Sequence, residues 1–195
     1  MKISNTRPAV VVAALIFSLT MLLIFSCRRS EKIQADARTE FFNRLKAMCG
    51  QTYEGYTDFI IRENDPFVGA RLVMHIASCS DEEIRIPFHV NEDRSRTWIL
   101  TRSDEGLLFK HDHRHADGTP EDLTMYGGWA SDDGTALQQR FPADDYTAEL
   151  LPEAAGNVWE LTIDPDKQQF IYYLERDGEA RFRAIIDLSL PVQEE

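Results

Sequence analysis

The chain has 195 residues, 43% hydrophobic, 28% charged and 10% aromatic, with three cysteines and a formal net charge of −12. That make-up excludes collagenous, disulfide-dense and compositionally disordered classes and leaves room for one globular domain with a short tail. A body this acidic, without a Lys/Arg stripe interleaved with aromatics, repels phosphate backbones, so no nucleic-acid partner is expected, and no basic amphipathic helix offers a hold on anionic lipid.

The first element is residues 1–26. Lys2 and Arg7 precede an apolar run from Ala9 to Phe25 whose only polar members are Ser18 and Thr20, and Ser26 and Cys27 come next. A charged start, an apolar stretch and a small residue before a cleavage point make an export signal. Ile24-Phe25-Ser26-Cys27 resembles a bacterial lipobox, with Phe25 where the pattern carries something smaller. The resemblance implies cleavage before Cys27, lipidation of that cysteine and a lipoprotein of the bacterial cell envelope facing the periplasm. Arg28 in place of an aspartate then implies the outer membrane. The second reading is an uncleaved single-pass anchor, because the apolar run sits at the short end of the roughly 17 to 25 residues that span a bilayer. Arg28, Arg29 and Lys32 favour it by weakening the charge asymmetry of a simple signal. Both readings make the membrane a partner and place the body outside the cytoplasm. Removing residues 1–26, which hold Lys2 and Arg7 and no acid, moves the formal charge from −12 to −14. Residues 27–36 are then a polar tether, and residues 37–195 a single domain.

Setting Cys27 aside for acylation leaves Cys49 and Cys79, an even pair in an oxidising compartment. A bridge between them is expected, closing a loop of about 30 residues and stabilising by about 3 kcal/mol in the chain-entropy view; two buried thiols are the alternative. From residue 37 the pattern is helical, with Phe41, Phe42, Leu45, Met48 and Cys49 at three- and four-residue steps and Gly50 as the stop. Its apolar stripe is expected to cover an edge or an open end of the rest of the domain.

The remainder of the chain reads as strands. Residues 53–61, 69–77, 84–90, 94–102, 107–115, 123–129, 135–141, 159–163, 170–174 and 182–188 are apolar or alternating, separated by Gly, Pro, Asp and Ser clusters. Pro87 points to an edge or a bulge within its strand. The strongest turn is Asp177-Gly178 between two alternating runs. About ten strands with one short N-terminal helix and no βαβ alternation predict an all-β antiparallel meander, either a barrel or a two-sheet sandwich. The size, helix and strand count are similar to a lipocalin-type barrel. Gly50-Gln51-Thr52-Tyr53-Glu54-Gly55 is only a loose counterpart of the Gly-x-Trp signature of that family.

The feature that could carry chemistry is His111-Asp112-His113-Arg114-His115. On a strand running to residue 115, His111, His113 and His115 share one face, and alternate imidazoles can chelate a divalent transition metal. His75, His89 or Asp117 are candidates to complete such a sphere. Gly106, His111, His113 and Asp117 also resemble the first cupin motif, without a second motif downstream. Arg94, Arg96, Trp98, Leu100 and Arg102 fall on one face of the preceding strand, so Arg96 beside Trp98 could meet an anionic or sugar-like ligand. In Tyr126-Gly127-Gly128-Trp129 the glycines mark close backbone approach or a ligand mouth, or equally a bulge or tight bend. No nucleophile elbow, phosphate loop or dinucleotide fingerprint occurs. The reading is an exported, membrane-anchored β protein that binds a small ligand in a barrel mouth or inter-sheet cleft. The rival readings are a metal-dependent enzyme built on His111 and His113, and an envelope protein with only protein partners.

Overall fold

The computed structural model of the chain describes residues 37–193. The export segment, Cys27 and the tether lie outside the described residues. Helix α1 spans residues 37–46 and closes with a turn at which Gly50 N–H donates to Ile76 O at 2.7 Å. The strands then run as β1 (Thr52–Ile60), β2 (Leu72–His75), β3 (Ser78–Cys79), β4 (Glu83–Val90), β5 (Asp93–Ser103), β6 (Gly106–His113), β7 (Tyr126–Trp129), β8 (Gln138–Pro142), β9 (Asn157–Asp164), β10 (Gln169–Arg176) and β11 (Glu179–Asp187). A short helix α2 (Asp145–Leu150) and a 3-10 turn (Pro152–Ala154) connect β8 to β9.

The pairing is antiparallel throughout, in the order β7-β6-β5-β4-β2-β1-β11-β10-β9-β8, with β3 alongside β4. The pairing of β1 with β11 joins the two ends of the domain, so the meander wraps into a nearly closed barrel and the sandwich alternative falls away. Period-two alternation decides what faces inward. Along β9, Trp159, Leu161 and Ile163 are buried, while Val158, Glu160 and Thr162 between them are only half-buried. Ile84, Ile86 and Phe88 on β4 and Phe170 and Tyr172 on β10 join the same core. At the tip of the β10–β11 hairpin Asp177 and Gly178 both take positive φ, at 53° and 78°, the two-residue turn whose twist matches that of its strands.

Two local breaks have visible causes. Pro87 sits in an interior strand, where β4 exchanges one neighbour for another: Phe88 pairs with Met74 of β2, Arg85 with Ser78 of β3, and the missing N–H falls in the interval. The seam of the barrel lies between β7 and β8. There Ser131 N–H donates to Arg140 O (2.8 Å) and Asp144 N–H to Gly127 O (2.9 Å), in place of a continuous ladder. A Cβ on Gly128 would collide with Pro142 O, so only glycine lets the two backbones meet.

The ends of the barrel differ. Helix α1 buries Phe41, Phe42 and Leu45 completely against the core. Arg38 donates to Ala130 O and Ser131 O beyond the end of β7 (3.2 Å each), and the Arg102 guanidinium near the end of β5 lies 5.3 Å from the Phe42 ring centre. The Cys49–Cys79 disulfide fastens the helix turn to β3. This end is stoppered. At the other end stand the β1–β2 loop, the tip of the β10–β11 hairpin, the segment after β6 and the β8–β9 connection, and here the barrel is open.

Candidate functional site

The open end leads into a cavity of about 500 Å³. Its wall begins with aromatic faces held by neighbouring strands. Trp98 stacks on Phe88 (centroids 4.1 Å apart) from one side and on Tyr172 (4.8 Å) from the other, and Phe182 meets Tyr172 edge-on at 5.8 Å. Trp159 and Leu174 extend the apolar surface. Such a lining takes an apolar body by removing its surface from water.

Deeper polar groups are engaged with one another. His111, 4% exposed, has Nδ1 at 3.1 Å from Tyr126 O and Nε2 at 3.0 Å from Tyr172 Oη. A carbonyl oxygen only accepts, so Nδ1 carries the proton and Nε2 accepts from the Tyr172 hydroxyl. Burial holds the His111 imidazole down at about 3, outweighing the opposing hydrogen bond to the Tyr126 carbonyl, and His113 and Lys110 add lesser like-charge repulsion. Burial also pushes the Tyr172 phenol well above its ordinary range and that of Tyr126 up to about 12. Tyr126 Oη meets His113 Nε2 at 3.0 Å, and His113 is depressed by burial first and then by Arg96. At neutral pH this chain of two phenols and two imidazoles is therefore uncharged.

Charge gathers instead at the rim. Arg62, Arg96, Arg176 and Arg181 line the mouth, against Asp65 and Glu153. Arg96 pairs with Asp93 and lies over the Phe67 ring at 5.4 Å; Arg176 Nε donates to Asn157 Oδ1 at 2.7 Å. The β8–β9 connection hangs over one side, placing Leu151, Glu153 and Ala154 in the wall. It is fixed at its start by Asp144, which caps α2 through Thr147 N (2.9 Å), and by Thr147 Oγ1, which accepts from Gly127 N (2.7 Å) across the seam and has Gly127 O and Asp144 Oδ1 as acceptors for its one proton (2.8 Å each).

The structure brings Arg96, Trp98, His111 and His113 together in one cavity wall. It does not bring the three histidines together. Strand β6 ends at His113, one short of the register that would carry His115 inward, and His115 is exposed in the next turn, where its N–H donates to Thr119 O. His75 is engaged with Thr52 Oγ1 (2.6 Å) and His89 with Arg94, while Asp117 caps its own turn through Thr119. Among the described residues no three His, Cys, Asp or Glu side chains are grouped to hold a metal ion. Gly106, His111, His113 and Asp117 accordingly form no common cluster. Along β5, Leu100 packs in the core below Trp98 and Arg102 binds Asp81 O at the stoppered end.

Several lining residues carried no signal of their own in the sequence. Tyr172 reads as an ordinary inward strand residue, and its hydroxyl finds His111 only because β6 and β10 face each other across the barrel. Arg176 and Arg181 flank the Asp177-Gly178 turn, so the hairpin itself was the clue that they share a barrel end. Among the described residues no helix is long and apolar enough to cross a membrane. No family model matches the chain, and neither the curated proteins nor the solved structures include a significant match.

Proposed function

We propose that this protein is an exported, membrane-tethered binding protein that holds a small, largely apolar ligand in the open end of its barrel. One observation carries the reading: a blind cavity of about 500 Å³, stoppered below by α1 and walled by Phe88, Trp98, Trp159, Tyr172 and Phe182. The volume lies within the range of small-molecule sites. Its deep titratable groups are neutral and spent on each other, which suits holding a ligand more than transforming one. The export signal and Cys27 carry the envelope location and the attachment in this reading.

Organic extraction of the full-length chain purified from envelopes, followed by mass spectrometry, tests the reading. A small molecule should be recovered in stoichiometric amount from the wild-type chain and in a clearly smaller amount from Leu174→Trp, which pushes an indole into the cavity. Equal recovery from both, or none from either with no probe bound afterwards, would discard it.

A further inference from the structure

The aromatic cup describes the body of a ligand and leaves its head open. The rim supplies the head. In a chain of formal charge −12, four guanidinium groups converge on the mouth, with Asp65 and Glu153 beside them in the wall and Asp93 and Glu179 paired to Arg96 and Arg181. All four have donors to spare, Arg62 and Arg181 most plainly. Among the described residues Arg62 has no hydrogen-bond or ion-pair partner for its side chain, and it stands exposed at the start of the β1–β2 loop. Arg181 pairs at its tip with Glu179 (3.0 Å), while its buried Nε has no hydrogen-bond partner among the described residues. A buried donor without an acceptor is unfavourable until something supplies one. Arg96, held by Asp93 and seated over Phe67, presents a third cation whose position is already fixed. The depth of the cavity makes the opposite demand: His111 and Tyr172 satisfy each other, so a polar head placed there would have to break their bond.

We infer that the ligand is an amphipathic organic anion, bound apolar end first against Trp98 and Tyr172, with its carboxylate or other anionic head held at the rim by Arg62, Arg96 and Arg181. This rests on the proposed ligand-binding cup and adds the head-group class and the orientation. Guanidinium forks suit such oxyanions because two parallel N–H donors meet two oxygens, a geometry a lysine cannot offer.

The test is isothermal titration of the full-length chain in nanodiscs, with empty nanodiscs subtracted, using matched probes: decanoate, 1-decanol and decylammonium, and 2-naphthoate with its neutral alcohol. Each acid should bind about tenfold or more tightly than its alcohol, and the ammonium most weakly. Arg62→Gln with Arg181→Gln should lower acid affinity to that of the alcohol, and Arg62→Lys with Arg181→Lys should recover part of it. Acid and alcohol binding equally to the wild type, or an unchanged acid preference in the Gln pair, would overturn the anionic-head inference while leaving the cup intact. If no probe binds the wild type above the Leu174→Trp background, both the inference and the cup fail together.

Discussion

Protonating His111 would place a charge in the aromatic depth of the cup, among Phe109, Trp159 and Tyr172, on a buried ring with no carboxylate partner among the described residues. The folded chain therefore holds this imidazole at about 3, against an ordinary 6.5 in the unfolded chain. In that window the unfolded state binds a proton that the native state refuses, so stability is full above pH 6.5 and falls as the pH drops towards 3. The slope is at most ~1.4 kcal/mol per pH unit from one group. His113 is depressed in the same sense and adds to it. Urea midpoints between pH 8 and pH 4 should fall more steeply for the wild type than for His111→Gln, and parallel curves would show that the imidazole titrates freely. Tyr172→Phe should destabilise by about 1 to 3 kcal/mol, since it removes the hydroxyl that satisfies His111 Nε2 and leaves that acceptor buried; a melting temperature unchanged from wild type would count against the bond. The sequence placed His111 with His113 on one face of a strand and Trp98 with Arg96 on one face of the preceding strand. It could not show that Tyr172, 61 residues beyond His111, is its partner, because that contact depends on barrel closure rather than on any local pattern.

At the scale of elements, the ten alternating runs were legible because each is a half-buried strand bounded by turn residues, and the structure moves their limits by only a few positions. The elements that escaped were short. Strand β3 has two residues and α2 six, too few for either period to show, although Pro152 and the Asp144 cap stood at their places. The β7–β8 seam was visible only as a glycine pair. It joins barrel to wall, since the Thr147 hydroxyl bonds both the N–H and the carbonyl of Gly127. Thr147→Val keeps the shape and removes the hydroxyl's bonds to Gly127 and Asp144, so a loss of about 2 kcal/mol is expected, with faster amide exchange at Gly127 and Asp144 than in the rest of the sheet. Uniform exchange across the barrel would mean that the seam opens no sooner than its ladders. At the other end the Cys49–Cys79 bridge ties α1 to β3 across 30 residues. Replacing both cysteines by serine should lower stability by about 3 kcal/mol, seen as a shifted denaturant midpoint under non-reducing conditions.

The whole molecule combines an acidic shell with a mouth where four guanidinium groups stand among carboxylates, and the two act at different distances. With a formal charge of −12 over the chain, an approaching anion meets net repulsion before it comes near Arg62 or Arg181. Repulsion of this kind reaches as far as the screening length, about 30 Å at 0.01 M salt and about 8 Å at 0.15 M. The contacts at the rim are made at hydrogen-bond distance and are screened far less once the ligand has displaced water from the mouth. Raising salt should therefore remove the barrier to approach while leaving most of the attraction at contact. For decanoate the association rate should rise between about 0.01 and about 0.15 M salt and the dissociation rate should change little, whereas both rates for 1-decanol stay flat. An association rate for the acid that falls with salt would mean that the guanidinium groups already dominate the field outside the mouth, so that the acidic shell plays no part in admitting ligand.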